Sequence, residues 1–287
     1  MQIIPTITEM RSALWTSQQR ERIIGFVPTM GALHEGHLSL VRAAKEKCHV
    51  VAVSIFVNPT QFAPGEDFTR YPRTFDADCT ALEKEKIDFL FAPSAEEMYP
   101  PGATTYVKVE EIADRLCGRS RPGHFRGVAT VVSKLFNIVQ PDFAFFGLKD
   151  AAQFAVIRRM VRDLNIPVEI VGCPIVRESD GLAMSSRNVY LSGEERRQAL
   201  VLSRALKNVE ESFHAGECDT QKLIALANQV IAAEPAVRLD YFEIVDPDSL
   251  KPLSTIGDQP ALAAVAAFVG NTRLIDNTLL HTKALSS

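Results

Sequence analysis

The sequence predicts an α/β protein in which a doubly wound parallel sheet is followed by a smaller C-terminal α+β domain. Over the first 175 residues, strand-like and helix-like segments alternate, which is the pattern of a parallel sheet with crossover helices. The run over 50–57 is apolar and rich in β-branched residues, as in a strand covered on both faces. After residue 176, two amphipathic helices precede a run of strands. The first domain is therefore expected to be Rossmann-like, with right-handed crossovers.

The elements of the first domain follow from apolar spacing and from the residues that end each segment. Apolar runs predict strands, apolar residues three or four apart predict helices, and Pro marks helix ends. Pro141 ends one predicted helix, and Asn165-Ile166-Pro167 ends the next. In chain order we predict strands over 22–27, 50–57, 87–91, 143–146 and 168–176, with helices over 36–47, 74–86, 125–139 and 151–164.

The remaining elements form the predicted C-terminal domain. Two charged, amphipathic segments predict helices, and the apolar segments after them are separated by turns rich in Asp, Pro and Gly. We predict helices over 192–215 and 219–233, and strands over 239–245, 261–268 and 272–275. The change of pattern sets the domain limits at 1–175 and 176–287, and the second domain is the smaller one.

Composition excludes several classes of protein. The 287 residues suffice for one large or two ordinary domains, and 46% hydrophobic with 23% charged residues is usual for a soluble globular protein. A net charge of −4 gives no reason to expect nucleic acid as a partner. Five dispersed cysteines without C-x-x-C favour a reducing compartment. The polar N-terminus is unlike a signal peptide, and no apolar run approaches the ~20 residues of a membrane span. We expect a cytoplasmic protein with no membrane partner.

The most informative segment is 26–38, where His34 and His37 lie at the passage from a strand into a helix. Unpaired backbone N–H groups and the helix dipole make such a helix start a binding place for anions. Gly31 and Gly36 suit a close approach of the backbone to a ligand. The segment therefore predicts a nucleotide phosphate site in which imidazoles take part.

Three other interpretations of this segment compete with a phosphate site. A zinc site would need a third ligand, and neither that ligand nor H-E-x-x-H spacing is evident. A purely structural histidine pair at a helix cap would not require the two glycines. The spacing from Gly31 to Gly36 matches a P-loop, but His37 and Leu38 stand where that motif has Lys and Ser or Thr.

Three further polar segments each follow a predicted strand. The segment 180–188 offers two hydroxyls and an arginine that could grip phosphates, 145–153 places Lys149 after a glycine, and 58–62 contains Asn58 and Gln61. Each segment alone is also compatible with an ordinary turn or linker. Because the carboxyl ends of parallel strands meet at one sheet edge, together they favour a shared site. Five arginines in loops or at helix starts are each interpreted as solvated charges: Arg70, Arg73, Arg119, Arg121 and Arg126.

A histidine pair at the first helix with a later Met-Ser-Ser-Arg loop resembles the nucleotidyltransferase superfamily, whose two motifs are called HIGH and KMSKS. Within that superfamily the chain resembles the pantoate–β-alanine ligase family. The sequence Gly147-Leu148-Lys149-Asp150 departs from the family's usual Gly-Glu-Lys-Asp, and Ala151 replaces a commoner aromatic residue. The resemblance extends over the segments 27–38, 57–62, 70–74, 124–128, 141–153 and 176–188.

The resemblance implies a two-step ligase of pantothenate biosynthesis, on the coenzyme A pathway. Pantoate would attack the α-phosphate of ATP, with Mg²⁺ carried mainly by the phosphates, and β-alanine would then displace AMP. The implied catalytic residues are His37, His34 and Lys149, and the implied substrate contacts are Gln61, Gln153 and Asn58. Asp76 and Asp78 could assist the metal. The implied ATP-binding residues are Met30, Gly31, Ala32, Leu33, His34, Glu35, Gly36, His37, Gly147, Leu148, Lys149, Asp150, Val176, Met184, Ser185, Ser186 and Arg187.

The resemblance also implies a homodimer, and the position of 184–188 between the predicted domains suggests a mobile loop that closes on ATP. Two other functions stay open from the residues alone. A nucleotidylyltransferase of the same superfamily would keep AMP on its product, whereas the ligase releases it. A non-catalytic nucleotide-binding module would bind ATP without releasing pyrophosphate, and it would have no need of the second polar pocket that Gln61 and Gln153 suggest.

Overall fold

The computed structural model describes residues 1–19 and 21–281, and these form two compact units. The first unit comprises Met1–Ala113, Arg121–Leu148 and Val156–Val176. The second comprises Asp114–Ser120, Lys149–Ala155 and the described chain from Arg177 onward. The predicted domain limits of 1–175 and 176–287 stay a prediction, and the last six residues of that second range lie outside the described part of the chain.

The first unit is built on a six-stranded parallel sheet, which confirms the predicted α/β class. The strands lie in the order β1-β4-β3-β2-β5-β6. From β2 the chain proceeds outward to β3 and β4, and it then returns to the other side of β2 to form β5. The order therefore reverses between β2 and β5, the position where open α/β sheets bind ligands. The strands are β1 (Gln2–Ile4), β2 (Ile24–Thr29), β3 (Val50–Ile55), β4 (Phe89–Phe91), β5 (Phe143–Gly147) and β6 (Glu169–Cys173).

Four helices begin and end near their predicted bounds, those over Glu35–Lys47, Phe75–Lys84, His124–Val139 and Ala151–Asp163. The strand β3 is buried over its first five residues, as its apolar run predicts. Its neighbour β2 continues through Pro28 to Thr29, two residues beyond the predicted end, because Thr29 pairs with Ile55 although Pro28 has no N–H. The helices are α1 (Ile7–Gln19), α2 (Glu35–Lys47), α3 (Phe75–Lys84), α4 (Ala95–Met98), α5 (Cys117–Ser120), α6 (His124–Val139) and α7 (Ala151–Asp163).

The sequence prediction lacks β1 and α1, and also the two four-residue helices α4 and α5. β1 has only three residues and exists because it pairs with β4, a contact between segments far apart in the chain. α1 is mostly polar, and its buried anchors are Met10 and Leu14 at 0% and 1% exposure. Two apolar residues four apart are too few to distinguish a helix from a loop by periodicity.

The second unit contains the predicted α+β arrangement of a helix pair and an antiparallel sheet. Its helices are α8 (Gly193–His214) and α9 (Thr220–Ala232), and its strands are β7 (Val237–Val245), β8 (Ala261–Val269) and β9 (Thr272–Leu280). Leu202, Leu206 and Val265 lie in the core between helices and sheet. β9 extends five residues beyond its predicted end at 275, because the buried Asp276 and Asn277 are hydrogen-bonded within the unit rather than solvated.

The short segment Asp114–Ser120 is attached to the sheet of the second unit by polar contacts. The Cys117 Sγ lies 3.1 Å from the Tyr241 hydroxyl, and the Arg273 guanidinium lies 3.7 Å from the same sulfur and donates to Asp240. Burial raises the pKa of Tyr241 well above its usual range. Across residues 1–19 and 21–281, the structure contains no helix with the length and apolar character needed to span a bilayer.

Candidate active site

The first turn of α2 is organised by the two histidines. His34 is the N-cap residue, and its Nδ1 accepts a hydrogen bond from the Gly36 amide at 3.1 Å. His37 reaches back, so that its Nδ1 accepts from the His34 amide at 3.3 Å. This is a capping box built from imidazoles, with ring centroids 4.1 Å apart. The Gly36 amide at the start of α2 is therefore already bonded within the helix cap.

The cap determines which ring nitrogen of each neutral histidine carries the proton. A neutral imidazole that accepts at Nδ1 carries its proton on Nε2. Both His34 and His37 accept backbone N–H groups at Nδ1, so each neutral ring presents an Nε2–H donor. The site at the start of α2 thus consists of two side-chain donors with fixed tautomers, in the positive field of a helix N-terminus.

The loop between β2 and α2 is held by Asp78 of α3, which is 3% exposed. Its carboxylate accepts from the Ala32 and Leu33 amides, both at 2.9 Å, and from the Thr74 hydroxyl at 3.1 Å. Ala32 has φ 51°, a left-handed conformation that costs an L-residue about 1–2 kcal/mol. Asp78 compensates that strain, so its carboxylate supports the loop.

A second polar group follows β3, where Asn58 and Gln61 belong to a turn of 3₁₀ helix over Pro59–Gln61. The two side chains are buried, at 1% and 8% exposure, and the Asn58 Nδ2 donates to the Gln61 Oε1 at 3.0 Å. The Gln61 Nε2 lies 3.0 Å from the Met30 sulfur. The structure therefore brings the predicted acid-binding segment against the predicted nucleotide-binding segment, at the carboxyl ends of neighbouring strands.

Arg121 and His124 complete this part of the site, although the sequence interpretation treats Arg121 as a solvated charge. That interpretation is wrong, because the Arg121 side chain is 17% exposed and forks onto Glu66 with distances of 2.7 and 2.6 Å. The His124 Nε2 lies 3.0 Å from Arg121, and its Nδ1 lies 2.8 Å from the Gln61 carbonyl oxygen. The pair therefore fixes the backbone of Gln61.

The charge of Glu66 follows from this arrangement. Burial favours the protonated acid, but the hydrogen bonds and the charge of Arg121 outweigh it, and the pKa of Glu66 lies below its ordinary value. The signal that could have identified this cluster is the Arg-Pro-Gly-His run at 121–124, where a positive-φ glycine precedes a helix.

The segment after β5 holds the next predicted residues. Gly147 ends the strand, and Leu148–Asp150 form a 3₁₀ turn that leads into α7. Lys149 and Gln153 are half-buried and Asp150 is exposed. The Lys149 carbonyl oxygen accepts from the Asn277 amide at 2.9 Å, so the backbone of Lys149 is fixed within the second unit.

The Met-Ser-Ser-Arg loop also belongs to the second unit. Ser185 caps the 3₁₀ helix Ser186–Tyr190 by accepting from the Arg187 amide at 3.3 Å. The Asn188 amide donates to Glu178 at 2.7 Å, and Arg196 donates to the same carboxylate at 2.7 Å. The Arg196 hydrogen bond lowers the pKa of Glu178. Met184 to Arg187 are all half-buried, as is Val176, which lies beyond the end of β6 at Cys173.

Comparison with known proteins gives consistent results over the whole chain. Residues 2–279 match the family model described as pantoate-beta-alanine ligase. A pantothenate synthetase of Acidobacterium capsulatum is 63% identical over 286 residues, which cover 96% of this chain and 95% of the relative.

Solved structures agree. The pantothenate synthetase of Thermus thermophilus superimposes with a TM-score of 0.94 at 48% identity, covering 98% of this chain and 100% of that one. The pantoate-beta-alanine ligase of Francisella tularensis, solved with beta-gamma ATP and beta-alanine, gives a TM-score of 0.81 at 36% identity, with 98% of both chains covered.

Proposed function

Because this chain belongs to the pantoate–β-alanine ligase family, we propose that the residues at the carboxyl ends of β2, β3 and β5 carry out the reaction of that family. The chain is an AMP-forming acid–amino-acid ligase that condenses (R)-pantoate with β-alanine, forming a C–N bond. ATP is consumed, and AMP and pyrophosphate are released. The roles of individual residues below are proposals supported by geometry and chemistry.

The first step makes a poor acylating agent reactive. A carboxylate oxygen of pantoate attacks the α-phosphorus of ATP, the bond from that phosphorus to the bridging oxygen breaks, and pyrophosphate leaves. Negative charge accumulates on the phosphates during this displacement. The Nε2–H groups of His34 and His37 are suited to receive it, because donors held in place before the reaction need no reorganisation. His37 is the preferred proton donor to the leaving group.

The acid substrate is assigned to Gln61 and Gln153, with Asn58 beside Gln61. Buried amides can donate to a carboxylate and to hydroxyl oxygens without adding a charge. The contact between Gln61 and Met30 supports this assignment, since it places the acid-binding amide next to the nucleotide loop. Lys149, Ser185, Ser186 and Arg187 are assigned to the phosphates, as are the loop residues from Met30 to Gly36.

The remaining nucleotide assignments concern the segments after β5 and β6. Gly147 ends β5, the strand next to β2, and Leu148 follows it, while Asp150 would bind the ribose or order the turn. Val176 would pack on the nucleotide from the segment beyond β6. In the second step the neutral amine of β-alanine attacks the acyl carbon of pantoyl adenylate, the acyl–oxygen bond breaks, and AMP leaves. The attacking nitrogen loses one proton to solvent as the amide forms.

The proposed cofactor is Mg²⁺ bound with ATP. Among the described residues, no group of three or more His, Cys, Asp or Glu side chains converges as a set of metal ligands, and the Asp78 oxygens are bonded to the loop. This donor set fits a cation that is carried by the phosphates and keeps several of its waters. When bound, Mg²⁺ would neutralise phosphate charge, while the protein's own residues would position the substrates and donate hydrogen bonds to them.

The observation that carries the proposal is the pair of fixed Nε2–H donors at the start of α2. The test is ATP–pyrophosphate exchange in the presence of pantoate. His37→Ala should slow exchange by about 10²–10³-fold, the loss usual for one donor to developing charge. His281→Ala, at an exposed position at the end of β9, should leave it unchanged. Exchange at the wild-type rate in His37→Ala would refute the assigned role.

A cytoplasmic homodimer is also proposed, and light scattering after size-exclusion chromatography would test it at a mass twice the 31.7 kDa of one chain.

Residues 176–287 are proposed as a lid, with 184–188 closing on ATP. Protease cleavage at 184–188 should therefore slow when ATP and pantoate are present together, and an equal rate with and without them would contradict closure.

A further inference from the structure

The Asn58 side chain is the centre of a buried hydrogen-bond network after β3. Its Oδ1 accepts from the Thr60 amide at 3.3 Å, from the Thr60 hydroxyl at 2.9 Å and from the Tyr99 hydroxyl at 2.9 Å. Its Nδ2 donates to the Gln61 Oε1 at 3.0 Å and to the Gly127 carbonyl at 3.2 Å. Asn58 is 1% exposed, so these five hydrogen bonds within the protein take the place of hydrogen bonds to solvent.

This network permits one orientation of the Asn58 amide. A carboxamide oxygen only accepts and its nitrogen only donates. If the amide were flipped, its NH₂ would face the Thr60 N–H, and its oxygen would face the Gly127 carbonyl, so two bonds would become repulsions. The Tyr99 hydroxyl adds a third donor on the oxygen side. A tyrosine hydroxyl is protonated at neutral pH, and burial raises the pKa of Tyr99 further.

The orientation of Asn58 determines that of Gln61. Because the Asn58 Nδ2 is a donor, Gln61 must turn its Oε1 toward Asn58, which leaves the Gln61 Nε2 on the other side. There the Nε2 lies 3.0 Å from the Met30 sulfur, and a thioether is only a weak acceptor. A carboxylate or hydroxyl oxygen would replace that contact with a stronger, charge-assisted hydrogen bond.

We propose that Tyr99 is a positioning residue that acts through Asn58 to hold the Gln61 amide with its NH₂ toward the acid substrate. The pocket is thereby specific for a substrate that presents an acceptor oxygen at this point. This inference rests on the proposed role of Gln61 in binding pantoate. It assigns to Tyr99 a part in substrate selection that its hydroxyl exerts through Asn58.

The first experiment is Tyr99→Phe in the full-length enzyme. The substitution removes the hydroxyl and keeps the ring, which packs against Phe56 at a centroid distance of 6.2 Å and lies 5.6 Å from the Lys134 ammonium. The KM for pantoate should rise about 3–10-fold, the equivalent of one lost hydrogen bond, while the KM for ATP stays unchanged. Tyr106→Phe is the matched control, because that ring is 51% exposed beneath Arg126.

The second experiment separates positioning from a general structural effect. In a Gln61→Ala background there is no amide left to orient, so Tyr99→Phe should produce no further rise in the pantoate KM. A rise of equal size in both backgrounds, or a parallel change in the KM for ATP, would overturn the proposal. An unchanged pantoate KM in Gln61→Ala alone would instead refute the proposed role of Gln61, and the dependent role of Tyr99 with it.

Discussion

His34 has a structural role in the helix cap, and the chemical role proposed for it uses the same side chain. Its Nδ1 caps α2 by accepting from Gly36, and the same bond fixes the proton of the neutral ring on Nε2, the atom proposed to donate to the nucleotide. Asn, Asp and Ser are the usual cap residues, so a histidine at this position is unexpected on stability grounds alone. The choice is explained if the ring also donates to phosphate.

Two substitutions at His34 separate these roles. His34→Ala removes both the cap and the donor, so it should lower the free energy of unfolding by about 0.5–2 kcal/mol and slow adenylation. His34→Asn keeps a cap acceptor but places no donor at the Nε2 position, so it should retain stability and still slow adenylation. Urea unfolding and pyrophosphate exchange measure the two effects. If His34→Asn exchanged at the wild-type rate, the histidine would serve only as a cap.

Sequence reasoning suggests the candidate residues whose chemistry is visible locally and misses those whose contacts lie far away in the chain. His34, His37 and Gln61 follow strands, and their residue types alone suggest ligands. Arg121 and Tyr99 gain meaning only from contacts with Glu66 and Asn58, which lie 55 and 41 positions away in the chain. No local pattern reports such pairs, so the supporting layer of the site could not be derived from one sequence.

At the scale of elements, α6 and the 3₁₀ turn at Pro59–Gln61 are packed backbone to backbone. A Cβ at Gly127 would lie 2.4 Å from the Thr60 carbonyl oxygen and 2.6 Å from the Gln61 Cα. Both are main-chain atoms, which cannot move aside as the end of a flexible side chain can. Gly127 is therefore required by close approach, and the same approach lets its carbonyl accept from Asn58.

Gly127→Ala should consequently damage both stability and substrate binding. Overpacking of this kind costs about 1–3 kcal/mol, and the displaced turn would carry Gln61 with it, so the pantoate KM should rise more than the ATP KM. The control is Gly193→Ala, also a helical glycine, where a Cβ meets nothing within 4 Å and a small gain in stability is expected. A Gly127→Ala enzyme with wild-type melting and kinetics would show that the two elements separate easily.

The bounds of a helix or strand can be predicted from its apolar pattern when the same packing determines both the pattern and the position where the element ends. The buried run of β3 is one example, since both its pattern and its burial come from its place inside the sheet. The predicted end of β9 is wrong because Asp276 and Asn277 look like a turn, yet Arg177 pairs with the buried Asp276 at 2.7 Å and lets the strand continue. Polar residues in a strand interior are predictable only when their partners are known.

At the scale of the whole molecule, the pH dependence of stability is set by the pKa values of the carboxyl groups, which the sequence alone does not determine. Net charge and residue counts are fixed by the sequence, but the pKa of each carboxyl depends on its partners. Within the described part of the chain, hydrogen bonds and positive neighbours, acting against burial, lower the pKa of seven carboxyl groups: Glu35, Glu66, Glu178, Asp180, Glu195, Glu217 and Asp246. In the folded chain these groups hold their protons less tightly than in the unfolded chain.

The free energy of unfolding of this protein should therefore decrease at acidic pH. A carboxyl whose pKa is lowered on folding adds stability above its unfolded value, 4.5 for Glu and 3.8 for Asp, and that stability is lost as pH falls through the lower native pKa. The urea midpoint should be nearly flat from pH 7 to about 5.5 and should fall steeply below about pH 4.5.

Glu66 should contribute most visibly to that fall, because its side chain is only 23% exposed and its partner Arg121 is 17% exposed, so solvent screens the pair less than a surface pair. Glu66→Gln should lower the midpoint at about pH 7 and converge with the wild type at low pH, since protonated Glu66 has also lost its charge. Arg121→Gln removes the guanidinium that pairs with Glu66. It should flatten the dependence of the urea midpoint on pH in the same way. If both variants kept the full wild-type drop between about pH 5.5 and 3.5, the acid sensitivity would have to come from the more exposed carboxylates instead.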